Sequence, residues 1–454
     1  MTTQIETIDR NVLNSLVRGT VHIPNGDGYH EARQVWNGMI DRRPAAIICA
    51  TGVADVMATV RFARERGLPI AIRCGGHNVA GNAVGDGGIV IDLRGLKSVR
   101  VDPAERRARA GGGLLWGEYD YETQAFGLAS PGGAISTTGI AGLTLGGGYG
   151  WLSRRYGMAC DNLLSVDLVT ASGELVTASP DTHPDLFWAL RGGGGNFGVV
   201  TEFEFQLHPV REVLSGLIAF PFGMSRTVLQ RYRDLCMKAS DDFSLMAGIL
   251  PAPDGSGRIV AVVMSHIGTE EEGERAIRPI RELGSVLIDT VARVPYCAMQ
   301  RQLDESFPKG MRHYWKSAFL KTLNDDVIDL AIEAMGTSPS PLNCVVIESY
   351  GGAVGRVAND ATAFGHRDVM FNSMILAISD DPAIDTEQTA WARDVWKKIL
   401  PHSTGGVYVN YLSAGEDVHS AYQDARFERL AAVKAKYDPA NLFRFNQNIP
   451  PAKG

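Results

Sequence analysis

The residues of this chain best suited to chemistry are set among glycines. Arg73-Cys74-Gly75-Gly76-His77-Asn78-Val79-Ala80-Gly81 runs out of a short apolar segment into two glycines and then a histidine. Adjacent glycines let successive backbone N–H groups turn inward and form a concave donor surface for an anion. Arg73 would add charge to such a surface and His77 would stand at its rim; a tight turn with an incidental histidine is the plain alternative. A second stretch, from Pro131 to Gly150, mixes glycines with Ser136, Thr137, Thr138 and Thr144. It leads through Arg154 and Arg155 to a single cysteine, Cys160. Its Ile135, Ile140, Leu143, Leu145 and Trp151 need burial, so it is not a disordered linker. A loop of this make-up can wrap a long flat ligand, with hydroxyls and amides as donors. The third stretch, Arg191 to Gly198, contains a formal G-x-G-x-x-G at Gly193, Gly195 and Gly198. A dinucleotide fingerprint follows a strand and opens a helix. Here a helix-like segment precedes it and an alternating strand follows, so the order is reversed and a Rossmann reading fails. No G-x-x-x-x-G-K-[ST] loop is present.

Elements must hold these stretches in place. The chain has 454 residues, beyond the ~250–300 at which single cores usually stop growing, so two domains are expected. Residues 45–50, 69–74 and 88–93 read as short buried strands, with a helix at 53–67. Hairpins are predicted at 99–110 and 163–178, and an alternating strand at 201–207. From about 211 to 400, strands at 213–221, 244–251, 257–266, 312–320, 343–350 and 368–378 interleave with helices at 224–239, 269–283, 324–335 and 386–400. Several of these strands follow one another directly, so the sheet is expected to be mostly antiparallel, with helices on one face and the other free for a substrate. The fold class is therefore α+β, divided as 1–210, 211–400 and a C-terminal segment 401–454.

A net charge of -7 gives no basic field to attract nucleic acid or an anionic membrane surface. No apolar run reaches the ~20 residues of a membrane helix. The polar, acid-bearing start MTTQIETIDRN does not read as a secretory signal, which points to the cytoplasm. The six cysteines show no C-x-x-C pair and no metal-type spacing. Glycine, at 51 residues and crowded into the first 200, is the compositional outlier. At this density it marks backbone that turns sharply or approaches a ligand such as a pyrophosphate.

Taken in order, R-C-G-G-H-N (73–78), G-L-T-L-G-G-G-Y-G-W-L (142–152), Y-G-M-A-C-D-N-L-L (156–164), R-G-G-G-G-N-F-G-V-V-T (191–201), Y-V-N-Y (408–411) and Y-D-P-A-N-L-F-R-F-N-Q-N-I (437–449) resemble the berberine bridge enzyme-like family of FAD-linked oxidases, which share the FAD-binding fold of the vanillyl-alcohol oxidase superfamily. The likeness covers roughly residues 40–210 and 405–450, with only E-S-Y-G-G-A-V (348–354) in between. It implies FAD held by two covalent bonds, His77 to the 8α-methyl carbon and Cys160 to flavin carbon 6. Arg73, Gly75, Gly76, Asn78, Gly81, Ser136, Gly139, Gly142, Gly146, Gly147, Gly150, Gly198 and Val200 then fall around the cofactor. Tyr408, Asn410 and Asn446 would close over it from the C-terminal segment.

Tyr411 matches the tyrosine that looks like the general base in members lacking a glutamate there. A free phenol, with a pKa of ~10, is a poor base unless something stabilises the phenolate; the alternative is a buried tyrosine on a C-terminal strand. Tyr350 is expected to point toward the substrate, while His313, Trp315, Lys316 and Glu348 read as ordinary residues of the same sheet. The reaction implied is loss of a substrate proton to the base and hydride transfer to flavin N5, with reoxidation by dioxygen to hydrogen peroxide. Two tethers would leave an open pocket suited to bulky substrates such as oligosaccharides, glycosylated polyketides or alkaloids. Leu163, read as lying beside the flavin, raises the alternative of a dehydrogenase with another acceptor. An NADPH-dependent reductase, a non-catalytic flavin-binding protein and a hydrolase using Cys160 are the other readings.

Overall fold

Strands Ala46–Cys49, Ile70–Arg73 and Ile89–Asp92 are each four residues long and buried almost throughout. Segments apolar on both faces pair in parallel beneath a covering helix, here Val53–Glu65, which crosses from the first strand to the second. With Thr20–His22 they form a four-stranded sheet. Two hairpins, Val99–Asp102 with Arg107–Gly111 and Leu163–Val169 with Leu175–Ala178, flank Val199–Gln206 in an antiparallel second sheet. The computed structural model describes residues 8–453. Residues 1–7, on which part of the secretory-signal reading rests, lie outside the described residues. Among the described residues no helix is long and apolar enough to cross a membrane.

The third sheet has eight strands, from Glu212–Pro221 to Phe371–Ser379, and every pairing in it is antiparallel. Because side chains alternate along a strand, each strand serves two faces. Leu245, Ala247, Ile249, Val345, Ile347, Phe371 and Ile375 pack under helices Ser225–Cys236, Glu270–Arg281, Asp325–Gly336 and Asp385–Ile399. Cys344, Val346, Met374, Leu376 and Ile378 point the other way. The mixed α+β architecture with an antiparallel sheet and helices on one face is the one expected from the sequence.

After these helices the chain runs back. Val409–Tyr411 is a 3-10 turn closed by Tyr411 N–H on Tyr408 C=O at 2.9 Å, not the C-terminal strand of the structural alternative. Helix Asp424–Tyr437 follows, and Leu442 and Phe443 then join the core of the first sheet. The Leu442 carbonyl accepts from Ile70 N–H at 3.0 Å. As anticipated, helix Pro184–Leu190 precedes the Gly192–Gly198 run and strand Val199–Gln206 follows it.

Candidate active site

The face of the large sheet turned away from the helices carries Glu348 toward one end of its strands and His313 toward the other. At one end, register places Glu348 opposite Met246 on one side and Asn372 on the other. Glu348 is 2% exposed, and its carboxylate accepts from Tyr411 Oη at 2.8 Å and from Asn372 Nδ2 at 2.9 Å. Burial lifts Glu348 to about 7, because two hydrogen bonds do not replace the water a carboxylate loses. Burial and the adjacent Glu348 charge push the Tyr411 phenol well above its ordinary value. The sequence left open which group would stabilise a Tyr411 phenolate. The structure places the Glu348 carboxylate against the Tyr411 hydroxyl.

At the other end a stack of rings joins the two halves of the molecule. His77 lies 4.9 Å from Trp36, and Trp36 lies 4.0 Å from His313, all close to parallel. Asn37 fixes this junction by donating to the carbonyls of Val79 (2.7 Å) and His313 (2.9 Å) and accepting from His313 N–H (3.0 Å). His77 is drawn down to about 4 by burial, so its imidazole is neutral near pH 7. Its Nε2 meets Thr137 Oγ1 at 2.9 Å.

Glycines line the span between these ends. A Cβ at Gly75 would stand 2.5 Å from Gly139 N, so the two loops touch backbone to backbone. One at Gly146 would meet Asn410 Oδ1 at 2.0 Å, whereas Gly142 and Gly195 face nothing within 4 Å. Asn410 Nδ2 donates to the Leu143 carbonyl (3.0 Å) and to Tyr408 Oη (2.9 Å), and Tyr408 Oη also accepts from Gly148 N–H (2.8 Å). The C-terminal turn is thereby bound to the glycine loop while Tyr411 reaches the sheet. Asn446 donates to the Gly195 carbonyl at 3.2 Å, yet its Oδ1, Gln447 Nε2 and Asn448 Oδ1 are buried without a protein partner. A run of unpaired polar atoms beside open glycine backbone fits a long polar cofactor such as FAD.

Several residues assigned to the cofactor are otherwise engaged. Arg73 is 2% exposed and paired with Asp92 and the Ala32 carbonyl, so its charge is spent inside the first sheet. Ser136 N–H and Oγ both donate to Asp304, at 2.9 and 2.5 Å. Gly198 and Val200 are built into the start of Val199–Gln206, where a Cβ at Gly198 would stand 2.7 Å from the Val169 carbonyl. Leu163 opens Leu163–Val169, pairs with Phe205 and is buried in the core. Gly76, Asn78, Gly81, Gly147 and Gly150 shape the loops around His77 and Tyr408, and Gly76 and Gly81 take the left-handed conformation (φ 67 and 70).

Cys160 lies against the same glycine loop. It is fully buried, its N–H donates to the Gly147 carbonyl at 2.8 Å, and its thiol faces Asp161, which is paired with Arg367. Burial raises the thiol far above the range in which a thiolate forms. His77 touches Thr137 before helix Ile140–Leu145 and Cys160 hangs from Gly147 after it, so the two stand at opposite ends of one short helix in the glycine loop.

Tyr350 stacks on Tyr149 at 4.1 Å, with its hydroxyl unpaired and outside the Glu348 network. Lys316 turns to the helix face and pairs with Glu416 at 3.0 Å. Glu348, read from sequence as an ordinary residue of the sheet, is the buried carboxylate that Tyr411 and Asn372 contact. Its signal was the lone acid in the apolar run Cys344–Ser349, on the face shared by Cys344 and Val346.

Residues 44–179 match the FAD binding domain family and residues 407–450 the family described as berberine and berberine like. (R)-6-hydroxynicotine oxidase of Paenarthrobacter nicotinovorans is 35% identical over 96% of this chain and 97% of its own length. The crystal structure of 6-hydroxy-D-nicotine oxidase from Arthrobacter nicotinovorans superposes with a TM-score of 0.89 at 32% identity, covering 100% of both chains. A variant of BBE-like 1 from Physcomitrella patens gives 0.90 at 25% identity over 98% and 99%. With the sheet face, the glycine loops and the C-terminal turn in this arrangement, the chain belongs to the berberine bridge enzyme-like family of FAD-linked oxidoreductases, on the FAD-binding fold of the vanillyl-alcohol oxidase type.

Proposed function

We propose that the protein is an oxidase for a small, largely apolar, ring-bearing substrate with one hydroxyl or amine, and that it holds FAD through two covalent bonds, from His77 and from Cys160. The hydrogen bond from Tyr411 to buried Glu348 carries this reading. When bound, FAD supplies the two-electron acceptor for hydride leaving the substrate carbon. Tyr411 Oη takes the substrate proton as its own passes to Glu348 Oε1, while Asn372 Nδ2 holds the carboxylate in orientation. Asn372 Oδ1, buried and unpaired, is an acceptor for a substrate N–H or O–H.

Val346, Met374, Leu376 and Trp315 supply the rest of the wall. That wall excludes water and lacks the polar groups a sugar chain would need, so an apolar ring is favoured over an oligosaccharide. The similarity to proteins named for 6-hydroxynicotine supports a ring substrate. Dioxygen is the proposed acceptor.

Acid precipitation followed by in-gel flavin fluorescence tests the attachment. Wild type, His77→Ala and Cys160→Ala are each expected to keep flavin in the pellet, and the double variant to release it. Release of all flavin by either single variant would refute the second tether. Peroxide formation on hydroxylated aromatic amines but not on sugars is expected in the substrate screen. Turnover with a dye and no peroxide would replace dioxygen by another acceptor.

A further inference from the structure

We infer that Thr137, held by Asp304 through Ser136, is a positioning residue that orients His77 for its bond to the flavin; this rests on the covalent reading above. Two constraints act on the His77 ring. The Trp36 indole, 4.9 Å away and 19° from parallel, sets the ring plane. Rotation within that plane decides which nitrogen faces the cofactor, and among the described residues the 2.9 Å contact between Nε2 and Thr137 Oγ1 is the hydrogen bond that controls it. The hydrogen bond at one imidazole nitrogen determines the state of the other. With Nε2–H held by the Thr137 oxygen, the free lone pair lies on Nδ1.

Thr137 gets its position from the other half of the molecule. The loop carrying it is clasped by Asp304, which takes both donors of Ser136, and by Gln300 Nε2, which donates to the Gly133 carbonyl at 3.2 Å. On its other side the loop is tied to the start of helix Trp116–Gln124: Gly117 N–H meets the Ser136 carbonyl at 2.8 Å and Trp116 N–H the Thr138 carbonyl at 2.9 Å. Asp304 and Gln300 belong to the chain between strands of the large sheet. Seating of the large sheet against the glycine loops therefore completes the geometry at His77.

In the attachment, one bond forms, between His77 Nδ1 and the 8α carbon. One methyl hydrogen and the imidazole hydrogen leave as protons, the two electrons stay with the flavin, which takes up two protons from solvent, and dioxygen later removes these electrons and protons as hydrogen peroxide. The imidazole hydrogen leaves from Nε2 toward Thr137, whose side is exposed and can pass its own hydroxyl proton to solvent. His77 enters neutral, as its burial requires.

The test uses protein carrying Cys160→Ala, which leaves His77 as the tether, from riboflavin-limited cells and incubated with FAD. Covalent flavin is followed by acid precipitation, and the linkage nitrogen is identified by NMR of the isolated flavopeptide. Thr137→Val is expected to slow attachment about tenfold or more, the usual scale for a small misorientation of reacting groups. Thr137→Ser, which restores the oxygen, is expected to recover it. Asp304→Ala is expected to slow it as well, with reversible FAD binding retained in each variant. Attachment of Thr137→Val at the wild-type rate, or failure of Thr137→Ser to recover, would overturn the inference. A wild type that never attaches its flavin would instead refute the covalent reading, and is visible without any variant.

Discussion

Glu348→Gln is expected to lower kcat by about 10²–10⁴-fold, the range a positioned general base supplies, while flavin content stays at the wild-type level. The glutamine keeps the size and hydrogen bonding of the side chain but cannot hold the proton that Tyr411 hands on. Tyr411→Phe removes the relay and is expected to fall by a similar factor. The pH profile separates the two roles. Glu348 accepts a proton only when ionised, and its pKa stands at about 7, so kcat/KM should rise with pH through that value and level off above it. Glu348→Gln should lose this limb. A wild-type profile flat from pH 5 to 9, or a Glu348→Gln variant with full activity, would remove Glu348 from the reaction.

The same group has a stability signature of opposite sense. Its folded pKa lies above the ordinary 4.5, so the folded chain keeps a proton that the unfolded chain releases between 4.5 and about 7. Stability therefore falls as pH rises through this window. Glu348→Gln removes that loss, so the variant should melt at a higher temperature than wild type at pH 8 and show little difference at pH 4.

Lys434→Ala is expected to destabilise the fold by about 3–5 kcal/mol, the usual cost of leaving one member of a buried ion pair alone. Lys434 and Asp438 are both fully buried. The Lys434 ammonium donates to Asp438 (2.6 Å) and to the carbonyls of Asn196 (2.7 Å) and Phe443 (2.9 Å). Asp438 in turn accepts from the N–H groups of Leu442 and Phe443, and Asn196 accepts from Ile449 N–H. One ammonium thus joins the last helix, the Gly192–Gly198 loop and the returning C-terminal segment. Replacing Lys434 and Asp438 together by methionine and leucine should cost much less, because no charge is then left unpaired. Urea unfolding of the three proteins measures this; a loss below about 1 kcal/mol for Lys434→Ala would show that the segment is held by its apolar contacts instead.

Local pattern accounts for much of what was legible. The fully apolar four-residue runs, the hairpins at 99–110 and 163–178 and the alternating strands of the large sheet all occur within a few residues of where periodicity places them. The Gly193–Gly198 run was separable from a dinucleotide loop by element order alone. His77, Tyr408 and Tyr411 could be picked out because their motifs are contiguous. Cys160 and Leu163 stand in such motifs too, but a motif places a residue in the chain, while the direction of its side chain depends on what packs around it. Arg73 misled because its partner Asp92 sits on a neighbouring parallel strand, where register alone brings them together.

The sequence by itself determined the elements, the fold class and the glycine loops, because those depend on periodicity and backbone freedom within a few residues. Which groups share a proton was decided only by tertiary structure. Tyr411 lies 63 residues from Glu348, and Thr137 60 residues from His77. Their hydrogen bonds exist because sheet register, the C-terminal turn and the Asp304 clasp bring them together, and burial there moves Glu348 toward neutrality. Desolvation is a property of the whole assembled fold, so no local pattern of residues contains it.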